Sequence, residues 1–127
     1  MQQEQHHLEL VRGIAEQMKA VLEKSEQGIY IYLDDNHKVC NQKFADLLGY
    51  KSPGEWADTD APLSDVAEEN QQGVIDAYMN ASNKMVASAI EVRLKNVKIG
   101  RIVKTRMIIA PVGHAGHVFT VHFFSRI

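Results

Sequence analysis

Apolar positions recur at steps of three and four near the start of the chain: Leu8, Val11, Ile14, Met18, Val21 and Leu22. Glu9, Arg12, Glu16, Gln17, Lys19 and Glu23 take the other face, so the first 25 residues predict an amphipathic helix. Its stripe has two open fates: the outer face of this chain's own sheet, or the same helix of a second copy. Val11, Ile14, Met18 and Val21 fit a seam of about two heptads, short of the three to four that argue for a coiled coil alone. These four and Leu22 are the candidate dimer-interface residues.

At Gly28 the period changes from helical to extended. Ile29, Tyr30, Ile31, Tyr32 and Leu33 are β-branched, aromatic or aliphatic and predict a strand. Asp34, Asp35, Asn36 and His37 predict a turn, and residues 38–40 a short return strand. Asn41 is a good N-cap for a helix with Phe44, Ala45, Leu47 and Leu48 inward, stopped by Gly49. Residues 51–65, KSPGEWADTDAPLSD, predict loops and short helical turns around a buried Trp56. A longer helix is predicted from Val66 to Ser82, with Val66, Val74, Ile75, Tyr78 and Met79 on its apolar face.

The last third alternates with period two. Ile90, Val92 and Leu94 define one strand, and Val103, Thr105, Met107 and Ile109 a second that ends before Pro111 and a turn at Gly113 to Gly116. The third, Val118 to Ser125, is apolar on both faces, as in a sheet covered on both sides, and the first helix is its natural second cover.

Composition narrows the picture without naming a partner. A chain of 127 residues with 45% hydrophobic content suits one ordinary core. The formal charge of -2 supplies no field that draws nucleic acid or an anionic membrane. One cysteine makes no internal disulfide, MQQEQHH is no secretory leader, and no apolar run approaches the roughly 18–20 residues that span a bilayer. The expected location is cytoplasmic.

The element order, with GIYIYLDDNHKVCNQKFADLLGY, IEVRLK and the final meander, resembles a PAS domain over roughly residues 25 to 126. The stretch from Asn41 through Phe44, Leu47 and Gly49 to Tyr50 resembles that family's helix motif. The resemblance implies an α+β fold: a five-stranded antiparallel sheet of order 2-1-5-4-3, flanking helices and a small internal cavity. Residues 1–25 would then be a cap or dimerisation helix and residues 26–127 the PAS domain. The turn and second strand are shorter than the family norm.

The resemblance implies sensing and protein interaction, as in two-component signalling, rather than catalysis. Partners would be a second copy, a signalling protein and a small molecule in the cavity, with no nucleic acid and no membrane. Inward residues of the sheet and the facing helices give the candidate pocket: Ile31, Phe44, Leu48, Trp56, Val74, Tyr78, Met79, Val92, Met107 and Ile109. Tyr78, Thr105 and His122 are its candidate polar groups.

The cofactor stays unknown. Flavin-adduct chemistry in the light-sensing branch of the family needs a cysteine within a helix, whereas Cys40 precedes the capping asparagine and reads as a small buried hydrophobe. A haem held by a helix histidine is disfavoured because residues 53–88 contain none. His6 and His7 lie at the N-terminus, His37 in a turn, and His114 and His117 about a hairpin loop without a cysteine or carboxylate beside them, so no metal set is predicted. GxSxG, P-loop, GxGxxG and HExxH motifs are all absent. The alternative is an NTF2-like cone, an enzyme or ligand-binding fold that also combines helices with a curved sheet.

Overall fold

A computed structural model describes residues 2–60 and 62–127. Met1, within the predicted first helix, and Ala61, within the predicted loop, lie outside the described residues. The elements run α1 (Gln2–Gln17), α2 (Lys19–Lys24), β1 (Gly28–Asp34), β2 (His37–Cys40), α3 (Gln42–Leu48), α4 (Pro53–Ala57), a 3-10 turn (Pro62–Asp65), α5 (Glu68–Lys84), β3 (Ser88–Lys95), β4 (Ile102–His114) and β5 (His117–Arg126).

All five strands pair antiparallel in the order β2-β1-β5-β4-β3. The sheet has an apolar cluster on each face. On the inner face Phe44, Leu48, Trp56, Val74, Val92, Leu94, Met107, Ile109 and Phe124 pack under α3, α4 and α5. On the outer face Leu10, Val11 and Ile14 of α1 cover Ile29, Ile31, Phe119 and Val121. β5 therefore buries residues of both parities, as its two-sided apolar pattern requires.

The predicted single helix is bent into α1 and α2 at Met18, although Met18 N–H still bonds Ile14 and Leu22 N–H still bonds Met18. α2 has no buried residue, and Val21 is 47% exposed. α5 starts two positions later than its pattern suggested. Val66 forms an isolated bridge to Leu94 and Ala67 N–H donates to Arg93, so sheet contacts hold both out of the helix.

β4 runs through Pro111 instead of ending before it. Pro111 lies beyond Ile109, which pairs with Ser88 at the start of β3, so no neighbour on that side needs an N–H. The turn is the two residues Ala115 and Gly116, both at positive φ, the geometry that matches a tight hairpin's twist.

α3 is fixed at both ends. Asn41 Oδ1 accepts from Phe44 N–H at 3.0 Å and from Ile29 N–H at 2.9 Å, while its Nδ2 donates to Gln27. At the other end Gly49 is left-handed at φ 82°, and Asn96 donates to the Leu47 carbonyl while Val97 N–H takes that of Leu48. A Cβ at Gly49 would stand 2.3 Å from Asn96 Oδ1, so only glycine fits.

Candidate functional site

β1 alternates aliphatic residues toward α1 with tyrosines toward the helices. Tyr30 stacks on His122 at 3.8 Å between ring centroids and lies 5.1 Å from Trp56 and 4.9 Å from Phe44. Tyr32 stands edge-on to Tyr78 of α5 at 5.3 Å. Tyr30, Tyr32 and Tyr78, with Asp35, Leu63 and Val74, wall a half-open cleft of about 250 Å³ between the first hairpin and α5.

The walls of the cleft are mostly apolar, with Asp35 the charged residue in its lining. The Tyr32 hydroxyl donates to Asp35 Oδ1 at 2.5 Å. Burial raises the pKa of all three phenols, and the Asp35 charge adds to the rise in each; Asp34 adds to it at Tyr32 and Tyr78. The phenols stay protonated at physiological pH.

Lys38, predicted at the start of the return strand, is buried there. Its Nζ donates to the carbonyls of Ala57 at 3.1 Å, Thr59 at 2.5 Å and Asp35, and lies 5.3 Å from the Trp56 ring centroid. These groups anchor the hairpin turn to the C-terminal end of α4, where a cation also meets the favourable end of the helix dipole. Burial lowers the Lys38 pKa, opposed by Asp35, Asp60, Asp34 and Asp58.

Behind the cleft the core closes to a void of about 20 Å³, lined in part by Phe44, Leu48, Trp56, Val74 and Met107. That is space for about one water molecule, not an organic ligand. Among the predicted pocket residues, Val74 and Tyr78 reach the open cleft. Val92, Thr105, Ile109 and His122 are fully buried, with Thr105 Oγ1 donating to the Val92 carbonyl at 2.6 Å.

Two pocket assignments are corrected. Ile31 is on the outer face under α1, because the inward set of β1 is the tyrosines; one residue of register exchanges the faces. Met79 is 47% exposed on α5. Of the predicted interface residues, Val11 and Ile14 are already buried against this chain's sheet. Met18 and Leu22 pack partly against it, which leaves Val21 outward.

The sequence reading missed Tyr30, Tyr32 and Asp35. Their signal was the mixed character of GIYIYLD, since tyrosine suits a face that is apolar yet wet better than isoleucine does.

Cys40 ends β2 with its thiol 4.0 Å from the Pro53 carbonyl, and burial pushes its pKa up to about 12. It is a protonated thiol, not a nucleophile.

No protein-family profile matches the sequence. No curated protein matches it either. Solved structures do. A PAS domain from a two-component sensor histidine kinase superposes with a TM-score of 0.66 at 12% identity, covering 91% of this chain and 98% of the other. The chain has the PAS fold. The PAS domain of an HTR-like protein from Haloarcula marismortui gives 0.65 at 15% identity over the whole of both chains. A LOV protein from Rhodobacter sphaeroides gives 0.68 at 17% identity, over 97% of this chain and 68% of that one. The NTF2-like alternative falls with the strand order: β1 lies between β2 and β5, and the β1–β2 hairpin precedes α3 to α5.

Proposed function

We propose that this chain is a sensory and protein-interaction module whose cleft between β1 and α5 takes a small molecule. The observation that carries the reading is the contrast between an inner core closed to about 20 Å³ and an adjoining cleft of about 250 Å³ walled by tyrosines. PAS domains of sensor proteins share the fold, which supports a signalling role over a catalytic one.

The ligand class follows from the walls. Aromatic faces beside Asp35, with Asp34 acting at longer range, favour a small organic cation or a compact donor-rich molecule over an anion. The purified 127-residue chain would be screened by thermal shift against small amines and their neutral isosteres. The amine should stabilise the wild type more than its isostere, and Tyr78→Ala should weaken binding by about five- to thirtyfold, the range from an exposed to a desolvated cation–π contact. Unchanged affinity in Tyr78→Ala removes the cleft as the site.

Output would pass through association of copies. Val11 and Ile14 are used within the chain, so the proposed homodimer surface narrows to Met18, Val21 and Leu22. Sedimentation of the intact chain beside Val21→Glu tests it: a wild-type dimer that the substitution dissociates supports the surface, and one that it leaves intact excludes it.

A further inference from the structure

The fold brings together three groups that the sequence keeps apart. His7, on the second turn of α1, points Nδ1 at Asp34 Oδ2 at 3.2 Å, and His37 points Nδ1 at Asp34 Oδ1 at 2.6 Å. The two imidazoles stand edge to face with centroids 5.4 Å apart, and the three donor atoms lie within 4.8 Å of one another. We propose that His7, Asp34 and His37 form a divalent transition-metal site that clamps α1 to the β1–β2 turn.

The donor set is right for such an ion. Two imidazole nitrogens and one carboxylate oxygen suit zinc, nickel, cobalt or copper, and a solvent molecule would fill the remaining position of a tetrahedral site. Metal–nitrogen distances of about 2.0–2.1 Å place tetrahedral donors about 3.3 Å apart. His7 Nδ1 and His37 Nδ1 now meet different oxygens of Asp34, at 3.2 and 2.6 Å, so seating an ion requires the rings and the carboxylate to turn until both nitrogens and one oxygen surround it. The site is reachable, with side chains 24% exposed at His7, 10% at His37 and 40% at Asp34.

Its frame is held without the metal. Asn36 N–H donates to Asp34 Oδ1 at 3.0 Å, fixing the carboxylate from the turn. The neighbouring residue repeats the arrangement: His6 Nε2 meets His117 Nε2 at 3.3 Å, so both histidines of α1 face a histidine of a hairpin.

Closure of this site holds the first turns of α1 over the sheet, next to Leu10 and Val11, which cover the outer face. Metal occupancy would therefore favour the docked helix whatever the cleft binds; the site stands independently of the sensor reading.

The test is Zn(II) titration of the chelator-treated full chain by calorimetry, with Co(II) visible absorption reporting the ligand field. One ion per chain is expected, with affinity at least tenfold weaker in His7→Ala and in His37→Ala and unchanged in His114→Ala, whose ring pairs with Gln17. Circular dichroism of His7→Ala, a part-exposed helix position, checks folding. Hydrogen exchange of α1 by local opening should slow by about 100-fold at free metal 100 times Kd. Absence of saturable binding, or affinity unaltered in His7→Ala, overturns the site. Affinity lost in His117→Ala but kept in His37→Ala moves the ion to the His6–His117 pair and also overturns it. Bound metal with unchanged α1 exchange overturns the clamp.

Discussion

His122 makes the stability of this fold sensitive to acid in a calculable way. Its ring is buried between strands, stacked on Tyr30, with Nε2 3.0 Å from Thr120 Oγ1 and Nδ1 without a partner among the described residues. Burial lowers its pKa from 6.5 to about 3. Between those values the unfolded chain binds a proton that the folded chain refuses, so stability rises with pH there and is lost as pH falls through the window. At pH 5 the loss relative to pH 7 is about 2 kcal/mol; it depends on the unfolded value of about 6.5 and hardly on the folded one, provided that lies well below 5. Urea unfolding of wild type and His122→Phe at pH 7, 6 and 5 measures it. The substitution keeps a ring on Tyr30 and removes the Thr120 bond, a pH-independent cost of about 1 kcal/mol. The other five histidines are common to both chains and cancel in the comparison. The wild type should lose about 2 kcal/mol more than the variant between pH 7 and 5. Equal losses would show that His122 is protonated in the folded state and would refute the argument.

Lys38→Met keeps the stem length but leaves the carbonyls of Asp35, Ala57 and Thr59 without their donor. A loss of about 2–4 kcal/mol is expected from denaturant midpoints at constant slope. A neutral effect would mean that water replaces the ammonium there. Cys40, with its thiol pushed up to about 12, should react with iodoacetamide at pH 8 far more slowly than a free cysteine of pKa about 8.5, and recover the ordinary rate in urea. Rapid modification of the folded chain would contradict its burial.

Local chemistry was legible wherever a residue type allows one conformation. Asn41 and Gly49 bracket α3 as the sequence predicts, since a side-chain cap and a left-handed stop are set by the residues themselves. Strand alternation gave β3 and most of β4 and β5 for the same reason. Pro111 misled because proline reads as a stop, yet with β5 on one side and no strand on the β3 side its missing N–H costs nothing. Val66 misled because its apolar character fits the helix stripe as well as it fits the bridge to Leu94.

The candidate site was less legible, because both faces of β1 are apolar enough to be inward. Ile29, Ile31 and Leu33 could not be told from Tyr30 and Tyr32 by hydrophobicity; only the docking of α1 on the aliphatic side assigns the tyrosines to the cleft. His7 and Asp34, 27 positions apart, became neighbours for the same reason.

The sequence by itself therefore determined the elements, their caps and the two-sided burial of β5, all of which rest on contacts within a few residues or on side-chain periodicity. Tertiary structure alone decided which face of β1 meets the helices, that the stripe of α1 is spent on its own sheet, and which histidines and carboxylates share a corner. Those outcomes depend on register and docking between distant segments, and a one-residue change in register leaves composition and periodicity untouched while exchanging every inward side chain for its neighbour.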